Sequence, residues 1–343
     1  MLPGVPLALG SAALFGATPP LSKLLLDSIG PVLLAGLLYL GAGIGLAVLR
    51  ALRGGALPAQ ARLHRADLRW LAAAIFLGGV IGPVLLMLGL ARTSASGAAL
   101  LLNLEGLATM AIAWLAFREN VDRRLLLGAA AILAGAALLS WQGGGVAIDR
   151  GAVLVAGACL AWGIDNNLTR KISAADPVTI AMWKGLVAGA VNVALALAYG
   201  ASLPAPSLAL ASALVGFFGV GVSLVMFVLA LRHLGTARTG AYFSLAPFIG
   251  AVLAIAMFAE PVTARLLAAA ALMGLGLWLH LAERHEHEHF HEALEHDHSH
   301  VHDAHHQHTH DGPVTEPHSH PHRHVPLRHR HAHFPDLHHR HRH

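Results

Sequence analysis

Ten apolar runs of roughly twenty residues, joined by short connections, leave this chain few ways to fold. They fall at about 5–27, 31–50, 70–90, 96–117, 123–141, 151–170, 177–199, 208–231, 236–258 and 263–282. At a rise of about 1.5 Å per residue, about 20 helical residues cross the hydrocarbon of a bilayer. A soluble domain of this length could bury a large core, but it would not need such runs repeatedly. Charged residues are 12% of the chain, against about 25% in soluble domains. The expected fold class is an all-α polytopic membrane protein with ten transmembrane helices. The N-terminal MLPGVPLALGSAALFGA has a signal-like apolar core, but no basic residues precede it and the apolar run continues. It is therefore expected to be the first span and not a cleaved leader.

The runs are not independent. The stretch Thr93–Asn120 carries Asn103 and Glu105 in its first half and closes on Arg118-Glu119-Asn120. Leu104-Glu105-Gly106 returns as Leu245-Ala246-Pro247, and Phe117-Arg118-Glu119 returns as Phe258-Ala259-Glu260. Phe15-Gly16 and Leu21-Ser22-Lys23 are echoed by Trp162-Gly163 and Leu168-Thr169-Arg170; Pro31 opens the second run as Pro177 opens the seventh. This predicts two five-helix repeats, residues 1–141 and 151–284, joined by a glycine-rich link at 142–150 that contains Gly143-Gly144-Gly145. Five spans is an odd number, so the second repeat must enter the membrane inverted, as in many secondary transporters.

Loop charge supports that arrangement. With a cytoplasmic N-terminus, the inside loops hold Arg50, Arg53, Arg62, Arg65, Arg69, Arg118, Arg123, Arg124, Arg170, Lys171, Arg232 and Arg238. The outside loops hold Arg92, Arg150 and Arg265. That bias predicts an inner-membrane, multi-pass protein with both termini cytoplasmic. The formal net charge is +4, but the arginines sit in these short connections and not on one basic face, so nucleic acid is not an expected partner. One cysteine, Cys159, excludes an intrachain disulfide.

Beyond residue 284 the composition changes. Residues 285–343 hold all the histidines except His64, His233 and His280, interleaved with acids up to Glu316 and with Arg and Pro after it. Such a segment is expected to be disordered, for want of apolar surface to bury. Neutral imidazoles suit Zn, Ni, Cu and Co, and a flexible chain can wrap an ion with several. The expected ligands are His285, His287, His289, His291, His296, His298, His300, His302, His305, His306, His308 and His310. The alternatives are an adventitious low-complexity tract and a polycation that responds to pH. No cofactor is expected to be required.

The paired motifs resemble the EamA-type transporters of the drug/metabolite transporter superfamily, which are built from two five-helix repeats. The residues that carry the resemblance are Phe15-Gly16 to Lys23, RTSASGAALLLNLEG with Phe117-Arg118-Glu119, and their echoes Trp162-Gly163 to Arg170 and ARTGAYFSLAPFIGAVLAIAMFAEP. The likeness spans about residues 5–282. Gly106 stands where the family usually has proline, which Pro247 keeps, and Tyr39 stands where the second span often carries arginine. The resemblance implies a secondary carrier, commonly an exporter of metabolites, amino acids or drugs.

Charges inside a bilayer cost about 2.5–3.5 kcal/mol on insertion scales, so each is a functional candidate. Glu105 lies nearest a span's middle and could bind and release a proton, or hold a substrate ammonium. Its alternative role is as a partner for Lys184 or Lys23. Lys184 could bind an anionic group or neutralise Glu105. Asp165, with Asn166 and Asn167, could line a cavity or bond helices together. Asn103 belongs to the same candidate set, and Trp162, Trp183 and Tyr242 could form aromatic walls. Lys23 and Arg170 read as interfacial snorkelling residues. Glu119 and Glu260 read as helix-end or gating groups. Pro19-Pro20, Pro83, Gly106 and Pro247 are expected to interrupt spans, where broken helices can expose backbone groups to a cavity.

No GxxxxGK[ST] loop is present, so direct ATP drive is not expected; no nucleophile–base pair points to an enzyme. The first functional expectation is alternating-access transport of a small metabolite or drug-like solute. The alternatives are transition-metal efflux with the tail collecting ions, and a membrane-anchored metal buffer without transport. Partners are the bilayer, a solute and metal ions at the tail; a homodimer is left open.

Overall fold

The computed structural model describes residues 4–53, 63–117, 123–141, 149–172, 175–281, 286–291, 295–300, 318–323 and 327–332. The chain divides into two units, Met1–Ala282 and Glu283–His343.

Every regular element among the described residues of the first unit is a helix. Its first half runs α1 (Gly4–Leu26), α2 (Pro31–Arg53), a short 3-10 turn (Arg65–Asp67), α3 (Leu68–Ala74), α4 (Gly82–Leu90), α5 (Ala95–Leu101), α6 (Leu104–Phe117) and α7 (Arg123–Ser140). The second runs α8 (Arg150–Arg170), α9 (Pro177–Ala198), α10 (Pro206–Gly216), α11 (Ser223–Phe243), α12 (Ala246–Phe258) and α13 (Ala264–Leu281). A π-helical segment, Ile75–Ile81, joins α3 to α4, and a second, Phe217–Val222, joins α10 to α11. Joined end to end, these segments make about ten membrane helices. Among the described residues, seven helical stretches are long and apolar enough to cross a membrane on length and composition. Of the rest, α8 is less apolar, with Asp165, Asn166, Asn167 and Arg170 in its last turns, while α12 and α13 are shorter apolar helices. The connection expected near residue 233 is itself helical, because Ser223–Phe243 is one helical stretch.

The interruptions differ from the expected pattern in detail. Pro19 and Pro20 both lie inside a continuous α1. The fourth span breaks at Leu102–Asn103 and the ninth at Ser244–Leu245. Pro247 sits in the first turn of the second half-helix, where its missing donor costs nothing. Gly106 occupies the matching place in the first repeat, with open space where a side chain would be.

The two halves exchange contacts in a matched way. α1 packs on α11 and α12 of the second half, and α8 packs on α4 and α6 of the first. Gly16 crosses α12 so closely that a Cβ there would strike the Ala246 carbonyl, and Gly163 crosses α6 against Ala108 and Thr109. The repeated glycines of the sequence motifs are thus the points where each half's first helix lies on the other half's broken helix. α2 and α9 pack together most extensively. A continuous core of Leu34, Leu38, Leu86, Met87, Leu90, Leu100, Leu101, Val155 and Cys159 fills the space between the helices.

The second unit, where composition predicts disorder, contains two antiparallel ribbons. β1 (Glu286–His291) pairs with β4 (Leu327–Ala332), and β2 (Glu295–His300) pairs with β3 (His318–Arg323). The strict alternation of histidine with other residues has the period of a strand. Two-stranded ribbons are marginal in water.

Candidate functional site

The π segment Ile75–Ile81 is the centre of the polar interior. A π turn spaces its backbone bonds five residues apart and leaves carbonyls for other donors. Here they are taken by side chains from three helices. Gly78 O accepts from Trp162 Nε1 on α8 at 2.8 Å and from Tyr39 Oη on α2 at 3.0 Å. Asn192 Nδ2 on α9 donates to Gly79 O and Val80 O at 3.3 and 3.5 Å. A Cβ on Gly78 would collide with the carboxylate of Asp165, so glycine is what lets the acid approach the segment.

Asp165 is buried at 3% exposure. Its Oδ2 is ion-paired with Lys184 Nζ of α9, and its Oδ1 accepts from Thr169 Oγ1 at 3.0 Å. The pair's side chains are 5% and 18% exposed. Lys184 therefore neutralises Asp165, and no ion pair joins it to Glu105 among the described residues.

Glu105 stands in the first turn of α6, immediately after the break at Leu102–Asn103. A carboxylate there is favoured by the free N–H groups and dipole of the helix start. Asn166 Nδ2, exposed, donates to Glu105 Oε1 and to Thr109 Oγ1, each at 3.1 Å. Thr109 Oγ1 in turn donates to Glu105 O at 2.9 Å, and Asn167 Nδ2, buried, donates to Thr109 O at 3.1 Å and Gly163 O at 2.8 Å. Asp165 and Asn166 are consecutive on α8, so the neutralised pair and the acid–amide cluster adjoin one another. The Glu105 carboxylate is half-buried and, among the described residues, held by an amide and not by a cation.

The remaining candidates separate. Asn103 closes the helix break by donating to Leu100 O at 2.8 Å. Trp162 supports the π segment. Trp183 is 45% exposed and Tyr242 half-buried; no described hydrogen bond or ring contact brings either to Glu105. Lys23 Nζ caps the end of α4 by donating to Leu90 O and Thr93 O. Glu260 follows Ala259, whose φ is 50°. Its carboxylate accepts from Ala95 N at 2.7 Å and Ser96 N at 3.0 Å, and also from Ser96 Oγ. Glu260 thus caps α5 of the other half, a helix-end role. Glu119 and the Arg170 side chain lie outside the described residues, as do His285, His302, His305, His306, His308 and His310.

Sequence reasoning missed Gly78, Thr109 and Asn192. The glycine pair Gly78-Gly79 and the later Gly219 and Gly221 were the available signal for the π segments. An apolar cleft of about 350 Å³ lies between α6, α7 and α8, lined by residues such as Leu107, Trp114, Leu126 and Leu160. Its lining offers nothing to orient a polar solute.

Comparison with known proteins gives a consistent result. The model of the EamA-like transporter family matches twice, over residues 2–141 and 149–282. An uncharacterized transporter of Methanothermobacter thermautotrophicus is 33% identical over 263 residues, covering 72% of this chain and 77% of that protein. A solved crystal structure aligns with a TM-score of 0.60 at 18% identity, covering 82% of this chain and 96% of that one; at that identity the likeness is one of fold.

Proposed function

Because this chain belongs to the EamA-like transporter family, we propose that it carries a small organic solute with a basic nitrogen across the inner membrane by alternating access. The observation that carries the reading is the half-buried Glu105, which has no ion-pair partner among the described residues and stands beside an exposed Asn166. Lys184 is already spent on Asp165, so the net charge offered by the two clusters is negative. An ammonium group, or a proton taking its place, satisfies that charge; an isolated anion does not. Exchange of one for the other would couple export of the solute to proton entry. The helix break beside Glu105 gives the site a place where the two half-helices can shift, as in carriers with discontinuous spans.

Export with both termini cytoplasmic fits the loop charges. Transition metal as cargo is the less favoured reading, since the described residues bring no group of three His, Cys, Asp or Glu together. The test is flux in proteoliposomes with an imposed pH gradient, using a panel of primary amines with neutral amides as controls. Amines are expected to move and amides not, with Glu105→Gln abolishing the pH dependence. Amine flux and pH dependence that both survive Glu105→Gln would remove Glu105 from the mechanism. Flux of nickel or zinc but of no amine would favour metal efflux.

A further inference from the structure

The apolar cleft between α6, α7 and α8 plays no part in solute recognition, and the two halves treat its place differently. Leu107 of α6 and Leu133 of α7 stand on its wall. Their equivalents across the repeat are Phe248 and Gly274, and there the Phe248 ring comes within 3.9 Å of where a Cβ on Gly274 would be. The second half thus lays a ring over a glycine where the first half leaves a hollow of about 350 Å³. Trp114, Leu126, Leu133 and Leu160 of the wall are exposed, and exposed apolar side chains on a membrane helix face lipid tails, which are as apolar as leucine.

One end of the hollow is basic. Arg123 precedes Leu126 by three residues, so the two are neighbours on the surface of α7, about 5–6 Å apart at Cβ. Arg124 follows in the same first turn. Both arginines are exposed, and among the described residues neither has a hydrogen-bond or ion-pair partner. The corresponding pair in the second half is Ala264 and Arg265, and Arg265 donates to Trp141 O. The connection before α7 adds Arg118 against Glu119 and Asp122, which leaves this end basic in balance. Cations in the first turn of a helix also meet its positive dipole end, so an anion placed there relieves a repulsion.

We propose that this cleft is a binding site for one anionic phospholipid, with an acyl chain in the hollow and the phosphate on Arg123 and Arg124. Loop charge favours the cytoplasmic leaflet as its source, and basic pockets between membrane helices on that side hold anionic headgroups. A guanidinium meets a phosphate with two parallel N–H donors. The depth also fits. Leu126 to Leu133 spans about 10 Å along α7 at the helical rise, within the roughly 15 Å that the hydrocarbon of one leaflet occupies. Trp114 lies near the end of α6, at the level where tryptophan marks the membrane interface. The apolar wall selects a chain and the arginines select the charge of its headgroup. The inference is independent of what Glu105 recognises.

The experiment is native mass spectrometry of the full-length protein in detergent, titrated with phosphatidylglycerol and, separately, with phosphatidylcholine of the same acyl chains. One phosphatidylglycerol is expected to be held about tenfold more tightly than phosphatidylcholine. The double variant Arg123→Gln, Arg124→Gln should bring the two lipids level. Ala129→Phe, on the cleft wall, should weaken both, and Arg265→Gln should change neither. Glycerophosphate, which has the charge without the chains, should not compete. Melting without lipid shows which variants are folded, and since the arginine and cleft variants act on separate parts of the site, either one alone decides. Equal retention of the two lipids by the wild type, or a preference that survives the arginine double variant, would overturn the headgroup site. Unchanged binding in Ala129→Phe, or competition by glycerophosphate, would overturn the part assigned to the cleft. A dimer that forms with concentration and excludes lipid would give the cleft to a second copy and overturn the proposal.

Discussion

The two π segments occupy equivalent places in the two halves, yet one is wrapped in polar side chains and the other in hydrocarbon save for Thr18. Gly78 and Gly219 stand in the same relation as Leu104 and Leu245 of the repeated motif. Around Gly78 gather Trp162, Asp165, Lys184 and Asn192. Their counterparts across the repeat are Phe15, Thr18, Leu38 and Leu46. The packing follows the correspondence: Thr18 is what a Cβ on Gly219 would strike, Leu38 O is what one on Gly216 would strike, and Leu46 faces Gly221. The second segment has no described side-chain donor on its carbonyls. The backbone shape was therefore kept through duplication while its lining diverged. A π segment needs glycine and a close neighbour; it does not need a buried ion pair. The pair Asp165–Lys184 is thus particular to one half, next to the half-helix that bears Glu105.

The comparison can be broken most forcefully at that ion pair. Lys184→Leu or Asp165→Thr alone leaves an uncompensated buried charge, and each is expected to lower unfolding free energy by about 3–5 kcal/mol. The double variant, which copies Leu38 and Thr18, should recover most of that loss in denaturant or thermal unfolding. If the double is as damaged as either single, the two halves are not interchangeable at this place. Smaller effects are expected where the donors to the π carbonyls are replaced by their counterparts. Asn192→Leu should cost about 1–3 kcal/mol by leaving buried carbonyls unpaired, and Trp162→Phe about 0.5–1.5 kcal/mol for one hydrogen bond. Near-zero costs for both, in the same unfolding assay, would mean that the carbonyls find other donors.

Much of this was legible in the sequence for a physical reason. Apolar runs of bilayer length and repeated Gly16 and Gly163 report packing needs that lipid and helix crossings impose on every copy. Glu105 and Lys184 stood out because charge in a span is costly. Asp165 and Asn166 stood out too, but their pairing did not, because a helix face decides which of Asp165, Asn166 and Asn167 meets which neighbour, and that depends on the crossing of α8 with α6 and α9. Pairing Glu105 with Lys184 was reasonable on charge alone, but α8 supplies a nearer acid. The π segments were hidden because one extra residue per turn changes neither hydropathy nor length noticeably. Pro19 and Pro20 misled in the other direction, being absorbed in a continuous helix.

The central assignment is that Glu105 recognises the solute while Asp165 and Lys184 hold the frame. Ligand-induced thermal stabilisation tests it most directly, using an amine found to move in proteoliposomes. At about a hundredfold excess over its Kd, such an amine should stabilise the wild type by about 2.7 kcal/mol. Glu105→Gln should lose that gain while melting normally without ligand, and the Asp165→Thr, Lys184→Leu double variant should keep it. Full stabilisation of Glu105→Gln, with loss in the double variant, would contradict the assignment and move recognition to the ion pair.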